Sequence, residues 1–360
     1  MLKLADLEAM RLEIESELAS HYKSARNGAP APVKPYVDLL RSFTLRGGKR
    51  FRAICLLAGY HIATAKSPTP VIPAASALEH FQSWMLIHDD IIDHGEQRRG
   101  GPTLHRSVAL DHHVKRGWGS SEEYGTGAGI ALGDLEEPFT VKALLRTNVS
   151  VRRRLEAIGE YCRMTELTAY GELLDIKSAS LDPSQTHLDD VLLTHEFKSA
   201  VYTVVSPLRI GGVLGGASAS LLQDFDFIGT NLGIAFQIGD DVVGAGFASD
   251  EAGKSSNDLI EGKRSILITE GWKRADRQGR KLISSVLGNR YASAEDIGQL
   301  QDLIRSCGSL RYSVGLAKRL RRRAEARIRE SKVIRSEGKA LLLEITERLL
   351  SHGKVVLNKG

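Results

Sequence analysis

Three observations predict an all-α fold for this chain of 360 residues. Ala, Leu, Ile, Arg and Glu, most of them good helix formers, fill long stretches, while aromatic residues make up only 6%, too few for a sheet-rich protein. Apolar residues recur at spacings of three and four, the period of a half-buried helix. No segment shows sustained period-two alternation bounded by Asn-Gly or Asp-Gly turns, so strands are minor at most.

The spacing places helices, in order, at 2–21, 33–43, 50–64, 73–92, 129–145, 151–177, 188–214 and 221–243. The first is charged and amphipathic throughout, with no apolar core of the kind a secretory leader carries. Pro- and Gly-rich runs mark the connections: NGAPAPVKP around Pro32, SPTPVIP around Pro70, GEQRRGGPT after Asp93, GWGSSEEYGTG around Gly119 and ASDEAGKSSND around Gly253. None reads as a domain linker, and there is no internal repeat or low-complexity tract. The expected organisation is one domain, 1–360. The late basic run, Lys318, Arg319, Arg321, Arg322, Arg323, Arg327 and Arg329, interleaves with Ala and Glu on a helix and reads as a solvated face.

Composition narrows the function classes. With 42% hydrophobic and 26% charged residues the chain is globular, not disordered. Cys55, Cys162 and Cys307 are far apart and odd in number, which argues against a disulfide framework or a zinc site and for a reducing cytoplasm. No window has the ~18 uncharged apolar residues of a membrane span. A net charge of +5 is mild for this length and names no nucleic-acid partner.

Chemistry concentrates in acidic and basic clusters. In Leu86-Ile87-His88-Asp89-Asp90-Ile91-Ile92-Asp93 a helix sets Asp89 and Asp93 one turn apart on one face, with Asp90 beside them. Like charges at that spacing cost helix stability unless a cation gathers them, and hard oxygen ligands suggest Mg²⁺. A second pair, Asp240-Asp241, ends another apolar run, Phe236-Gln237-Ile238-Gly239. Two such clusters across a cavity can hold Mg²⁺ around a diphosphate as it departs. Gly47-Gly48-Lys49-Arg50-Phe51-Arg52 and Arg98-Arg99-Gly100-Gly101-Pro102-Thr103 supply glycines that let backbone approach phosphate and arginines that bind it bidentately, enough for two phosphate-bearing substrates.

Taken together, GGKRFR at 47–52, HDDIID at 88–93, RRGGPTLHR at 98–106, GELLD at 171–175, FKSA at 197–200, FQIGDD at 236–241 and GKSSNDLIEGKRSIL at 253–267 resemble, in order and spacing, the trans-isoprenyl diphosphate synthases of the farnesyl and geranylgeranyl type. The resemblance implies a single large bundle of mostly antiparallel helices around a deep central cavity, and a homodimer. It implies Asp89, Asp90 and Asp93, with Asp240 and Asp241, as ligands to three Mg²⁺ ions. Arg98, Lys198, Lys254 and Lys263 would then hold an allylic diphosphate, and Lys49, Arg52, Gln82 and Arg99 isopentenyl diphosphate. Ser199 and Gln237 match the family's hydroxyl and amide beside the reacting carbons. The reaction implied is ionisation of the allylic diphosphate, attack by the isopentenyl double bond, and loss of a proton to the released diphosphate.

Some residues depart from the family pattern. Gly244 stands where many members have a third Asp, with Asp250 as a later acid; Ala53 replaces Pro, Ser199 replaces Thr, and Glu172 replaces Gln. The run GDLEEPF at 133–139 is acidic and expected to be broken at Pro138. Trp84 and Met85 lie about one turn beneath Asp89, where the family places a floor for the growing chain. Their pattern resembles short-chain geranylgeranyl enzymes and favours a C20 product over C15. Rival readings are a non-catalytic regulatory subunit of a prenyl synthase and an HD-type metal phosphohydrolase built on His88-Asp89. The second leaves the Lys and Arg motifs unexplained.

Overall fold

The computed structural model describes residues 2–247 and 257–351, which group into two compact units: Met1–Ile158 with Ile210–Gly216, and Gly159–Arg209 with Ala217–Gly360. Most of both is helical, as the all-α class requires, although the spacing placed no helix at Leu104–Val114, at Ser336–Leu350 or anywhere in 257–306. The only strand pairing among the described residues is a two-residue antiparallel hairpin.

The first unit comprises α1 (Leu4–Ala9), α2 (Arg11–Gly28), α3 (Lys34–Leu45), α4 (Phe51–Thr64), α5 (Ile72–Ile92), the hairpin β1 (Gln97–Arg98) and β2 (Gly101–Pro102), α6 (Leu104–Val114) and α7 (Ser121–Leu145). Every residue of α4 from Ala53 to Ile62 is buried, as expected of a helix that is apolar all round. α5 and α7 pack extensively against one another.

Two expectations for α7 are corrected. The helix starts at Ser121, not 129: Ser120 caps it by accepting from the Glu123 amide (3.3 Å), and Glu122 and Glu123 favour the positive end of the helix dipole. Gly125, in the run that looks like a loop, is used for close approach, because a Cβ there would overlap the His105 carbonyl oxygen and Ala109 of α6; a Cβ at Gly129 or Gly133 would likewise overlap the side chains of His105 or His88. Nor does Pro138 break the helix, which continues to Leu145. The acid before it, Glu136, is fully buried and bonded to α2 and α5, so packing on this face outweighs the one backbone hydrogen bond that proline removes.

The second unit takes most of α8 (Val151–Ala179), then α9 (Leu188–Thr194), a π-helical segment (His195–Val205), part of α10 (Ser206–Gly215), α11 (Ala219–Gly244), α12 (Asn257–Glu261), α13 (Ile266–Arg274), α14 (Arg277–Val286), α15 (Ala294–Ser306), α16 (Ser309–Glu330) and α17 (Ser336–Leu350). The single helix expected at 188–214 is a continuous helical path, but its middle is wound in the wider π form. That form is rare and is associated with functional sites. Gly229 and Gly233 of α11 lie directly against it, where a Cβ would overlap Val205 and Ala200. On α16 the buried residues Val314, Ala317, Leu320, Ala324 and Ile328 form one stripe, and most of the arginines lie off it. Several are engaged: Arg321 bonds Glu325 and Glu347, Arg327 bonds Asp224, and Arg323 lies over the Phe227 ring.

Candidate active site

In the first unit the acidic motif forms the end of α5. Asp89 lies in its last turn, and Asp93 is the C-cap, its amide donating to the Asp89 carbonyl (2.8 Å). Both carboxylates keep part of their surface exposed, whereas Asp90 turns inward and is 1% exposed. Arg98 clamps it: Nε donates to Asp90 Oδ1 (2.9 Å), Nη2 donates to the same oxygen, and Nη2 also reaches Asp89 Oδ2 (3.3 Å). Burial raises the Asp90 carboxyl to about 6 against the opposing pull of Arg98. Asp90 thus anchors Arg98, while Asp89 and Asp93 face outward.

The two basic motifs meet in the same unit. Arg99 Nη1 donates to the Gly47 carbonyl (3.3 Å), and its guanidinium lies 3.4 Å from where a Cβ on Gly48 would stand. Burial lowers the Arg99 pKa, and the neighbouring charges of Arg50, Arg52 and Arg98 lower it further against Glu79. Four guanidinium groups are therefore close enough to act on one another in this region. Lys49 is exposed and Arg52 half-buried. Arg50, between them, is buried and serves the fold: its backbone sits at φ 51°, and Nη1 donates to Glu79 Oε2 (3.0 Å) and the Thr44 carbonyl (3.1 Å). Those bonds hold a backbone conformation that L residues rarely adopt. Gln82 and Met85 are half-buried on α5, and Trp84 packs edge-on to Phe81 and His88.

In the second unit the DD pair repeats the arrangement of the first. Asp240 is exposed; Asp241 is buried, accepting from Gln237 Nε2 (2.8 Å) and lying 3.0 Å from His195 Nε2. Ser199 Oγ donates to Gln237 Oε1 (2.6 Å), which completes a chain from the π segment through α11. Gly229, Gly233, Gln237 and Asp241 are four apart, so one stripe of α11 provides first the close approach and then the polar contacts. Lys198 Nζ is held by Glu172 (3.0 Å) and Asp175 (2.5 Å) of α8. Lys263 lies 3.6 Å from Asp258, whose carboxyl burial raises to about 6 against the pull of Lys263 and with a further push from Asp241. The Asp258 carboxylate fills the space beside Gly244, where any Cβ would overlap it. An acid, Asp258, therefore stands near the end of this motif; Asp250 and Lys254 lie outside the described residues.

Sequence reasoning missed His195, Asp175, Asp258 and the buried Glu136 group as functional or structural partners. Asp175 and Asp258 lie inside the quoted motifs GELLD and GKSSNDLIEGKRSIL and His195 is one turn before Lys198, but the motifs do not say which partner each side chain holds. The phosphohydrolase reading fails on geometry, since the His88 ring turns towards α7, 3.3 Å from the Ile130 carbonyl and 3.6 Å from Asp134. Among the described residues no three His, Cys, Asp or Glu side chains could hold a metal by themselves. Mg²⁺ ordinarily binds through one or two carboxylates and completes its shell with water and substrate phosphates. Asp89 with Asp93, and Asp240, offer such partial sets.

The fold is that of known prenyl synthases. A crystal structure of geranylgeranyl pyrophosphate synthase from Corynebacterium glutamicum, complexed with isoprenyl diphosphate and magnesium, matches with a TM-score of 0.89 at 28% identity, covering 98% of this chain and 100% of that one. The polyprenyl synthetase family model matches residues 34–304, and the chain belongs to that family. It is a short-chain trans-prenyltransferase. Among its relatives are geranylgeranyl diphosphate synthase of Saccharolobus solfataricus, 29% identical over 79% of this chain and 80% of that protein, and geranylfarnesyl diphosphate synthase of Aeropyrum pernix, 27% identical over 82% and 87%. No helix among the described residues is long and apolar enough to cross a membrane.

Proposed function

We propose that the chain condenses isopentenyl diphosphate with an allylic diphosphate to make geranylgeranyl diphosphate in preference to farnesyl diphosphate. It would act as a cytoplasmic homodimer in which 1–360 works as one synthase domain around a central cavity. The observation that carries this reading is the repeated arrangement of the DD pairs: each apolar helix displays its first carboxylate, Asp89 or Asp240, and buries its second as the anchor of a neighbouring polar group.

Asp89, Asp93 and Asp240 would hold three Mg²⁺ together with the substrate's oxygens, with Asp90 and Asp241 supporting from behind. Bound Mg²⁺ would neutralise the charge that builds on the departing diphosphate. Arg98, Lys198, Lys254 and Lys263 would bind the allylic diphosphate, and Lys49, Arg52, Gln82 and Arg99 isopentenyl diphosphate. Arg98 is already aligned by Asp90, so little side-chain freedom remains to be lost on binding. Ser199 and Gln237 fix one another's orientation and present a hydroxyl and an amide dipole to developing positive charge. No protein nucleophile is required, and the released diphosphate takes the final proton.

The test is incubation of the purified chain with labelled isopentenyl diphosphate and each of the C5, C10 and C15 allylic diphosphates, with Mg²⁺ or with EDTA. Mg²⁺-dependent C20 product is expected; no product with any primer at saturating Mg²⁺ would overturn the reading. Trp84→Ala should shift the product towards C25 or longer if the indole is the floor. Unchanged length with a lower melting temperature would make it ordinary core packing.

A further inference from the structure

Behind the buried Glu136 group, the first unit contains a cleft of about 600 Å³ between α2, α3 and α7. No residue assigned to either substrate lines it. Its walls are apolar, with Ala25, Val37 and Phe139 among them, and Lys142 and Arg146 lie at its edge on successive turns of α7. At its floor is His21, 5% exposed.

The His21 ring is fixed from behind. Its Nδ1 is 2.9 Å from His80 Nε2, and His80 Nδ1 is 2.7 Å from Glu136 Oε2, which leaves His21 Nε2 for the cleft. Glu136 Oε1 is held in turn by Tyr22 Oη (2.5 Å) and Thr44 Oγ1 (3.1 Å), so the ring has little freedom to turn away. The three basic side chains are near enough to feel one another: burial, His80, Arg146 and Lys142 together lower the His21 pKa to about 3. Arg146 has one carboxylate partner, Glu17 (2.6 Å), and Lys142 lies over the Phe139 ring at 5.9 Å. Two cations, Lys142 and Arg146, thus line one end of an apolar cleft beside a histidine held neutral, and a bound anion would offset their charge. A volume of this size accepts an elongated small molecule.

We propose that this cleft is a second binding site, separate from the substrate residues, for an amphiphilic anion. A slender apolar chain would lie along Phe139, Val37 and Ala25, and its anionic head would sit among Lys142, Arg146 and His21. Two sources share that chemistry: a prenyl diphosphate, which the proposed reaction would itself supply, and a fatty-acid carboxylate. A bare anion lacks the tail and binds poorly.

The experiment measures equilibrium binding of geranylgeranyl diphosphate, palmitate and inorganic diphosphate to the full chain in EDTA, where Mg²⁺-dependent binding at the Asp-rich motifs is suppressed. The variants are Lys142→Glu with Arg146→Glu, and Ala25→Trp, which fills the cleft. Saturable binding of at least one amphiphile is expected, weakened roughly tenfold or more by either variant, as for loss of charge-assisted contacts; inorganic diphosphate, which Lys49, Arg52 and Arg99 would also attract, is expected to bind the wild type and both variants equally. The amphiphile that binds identifies the source. No metal-independent binding of either amphiphile, or amphiphile binding of equal strength in the wild type and both variants, would overturn the site. Mg²⁺-dependent turnover, assayed in parallel at low substrate, reports separately on the prenyl transfer reading and is expected to survive in both variants.

Discussion

Lys198 shows how a departure at one residue can tune the reaction. Its ammonium is shared between Asp175 and Glu172, and the family's residue at 172 is a neutral Gln. If Lys198 binds the allylic diphosphate as proposed, that substrate must compete with two carboxylates for it. Glu172→Gln is expected to lower the KM for the allylic substrate roughly fivefold, from about 1 kcal/mol of relieved competition at a partly exposed pair, and to leave that for isopentenyl diphosphate unchanged. Initial rates with each substrate varied in turn measure it; a higher allylic KM would mean that Glu172 itself serves the substrate. The motif residues were legible because each motif is contiguous and helical spacing aligns its carboxylates. What was not legible is which of them turn inward. Asp90 and Asp89 are neighbours in sequence, yet burial of the first depends on Arg98 and the hairpin it lies on. The pairing of Asp258 with the space at Gly244 likewise needs a fold to bring them together.

At the scale of elements, the junction of α2, α3, α5 and α7 is tied by His21, His80, Tyr22, Thr44, Ser83 and Glu136. Sequence spacing found α5 and most of α7 but treated the acids of α7 as a disturbance, because a lone Glu gives no sign that three other helices will supply its partners. The π segment was missed for a related reason: its apolar spacing differs little from that of an α-helix, and the glycines that crowd it belong to α11. The junction has a pH signature. His21 has its pKa lowered to about 3 on folding, whereas an unfolded histidine titrates near 6.5, so between these values the unfolded chain takes up the proton first. Its contribution to stability is thus present above about pH 6.5 and is lost progressively as the pH falls towards 3. His21→Gln has no such titration. Urea unfolding midpoints at pH 7.0, 5.5 and 4.5 should show the wild type's advantage over this variant shrinking with acid; a constant difference would mean that His21 is not buried in its neutral form.

The whole molecule divides its Asp-rich motifs between two compact units, one containing Asp89 and Asp93 and the other Asp240. The family model extends over residues of both, which supports the proposal that they serve one reaction. The kinetics of paired substitutions test that proposal directly. Asp89→Asn or Asp240→Asn alone should lower turnover on the order of 10²–10³-fold, the usual effect of removing one group that stabilises developing charge. Both should also raise the Mg²⁺ concentration needed for half-maximal activity. Contributions made independently multiply, so the double variant would then be lower by the product of the two factors. If both carboxylates act on one departing diphosphate, the first substitution already disables the set and the second adds little, as for residues that function as a unit. The expected result is a double variant within about tenfold of the slower single one, with circular dichroism unchanged. A full multiplicative loss would mean that the two motifs contribute separately, and near-normal turnover of both single variants at saturating Mg²⁺ would remove the carboxylates from the reaction.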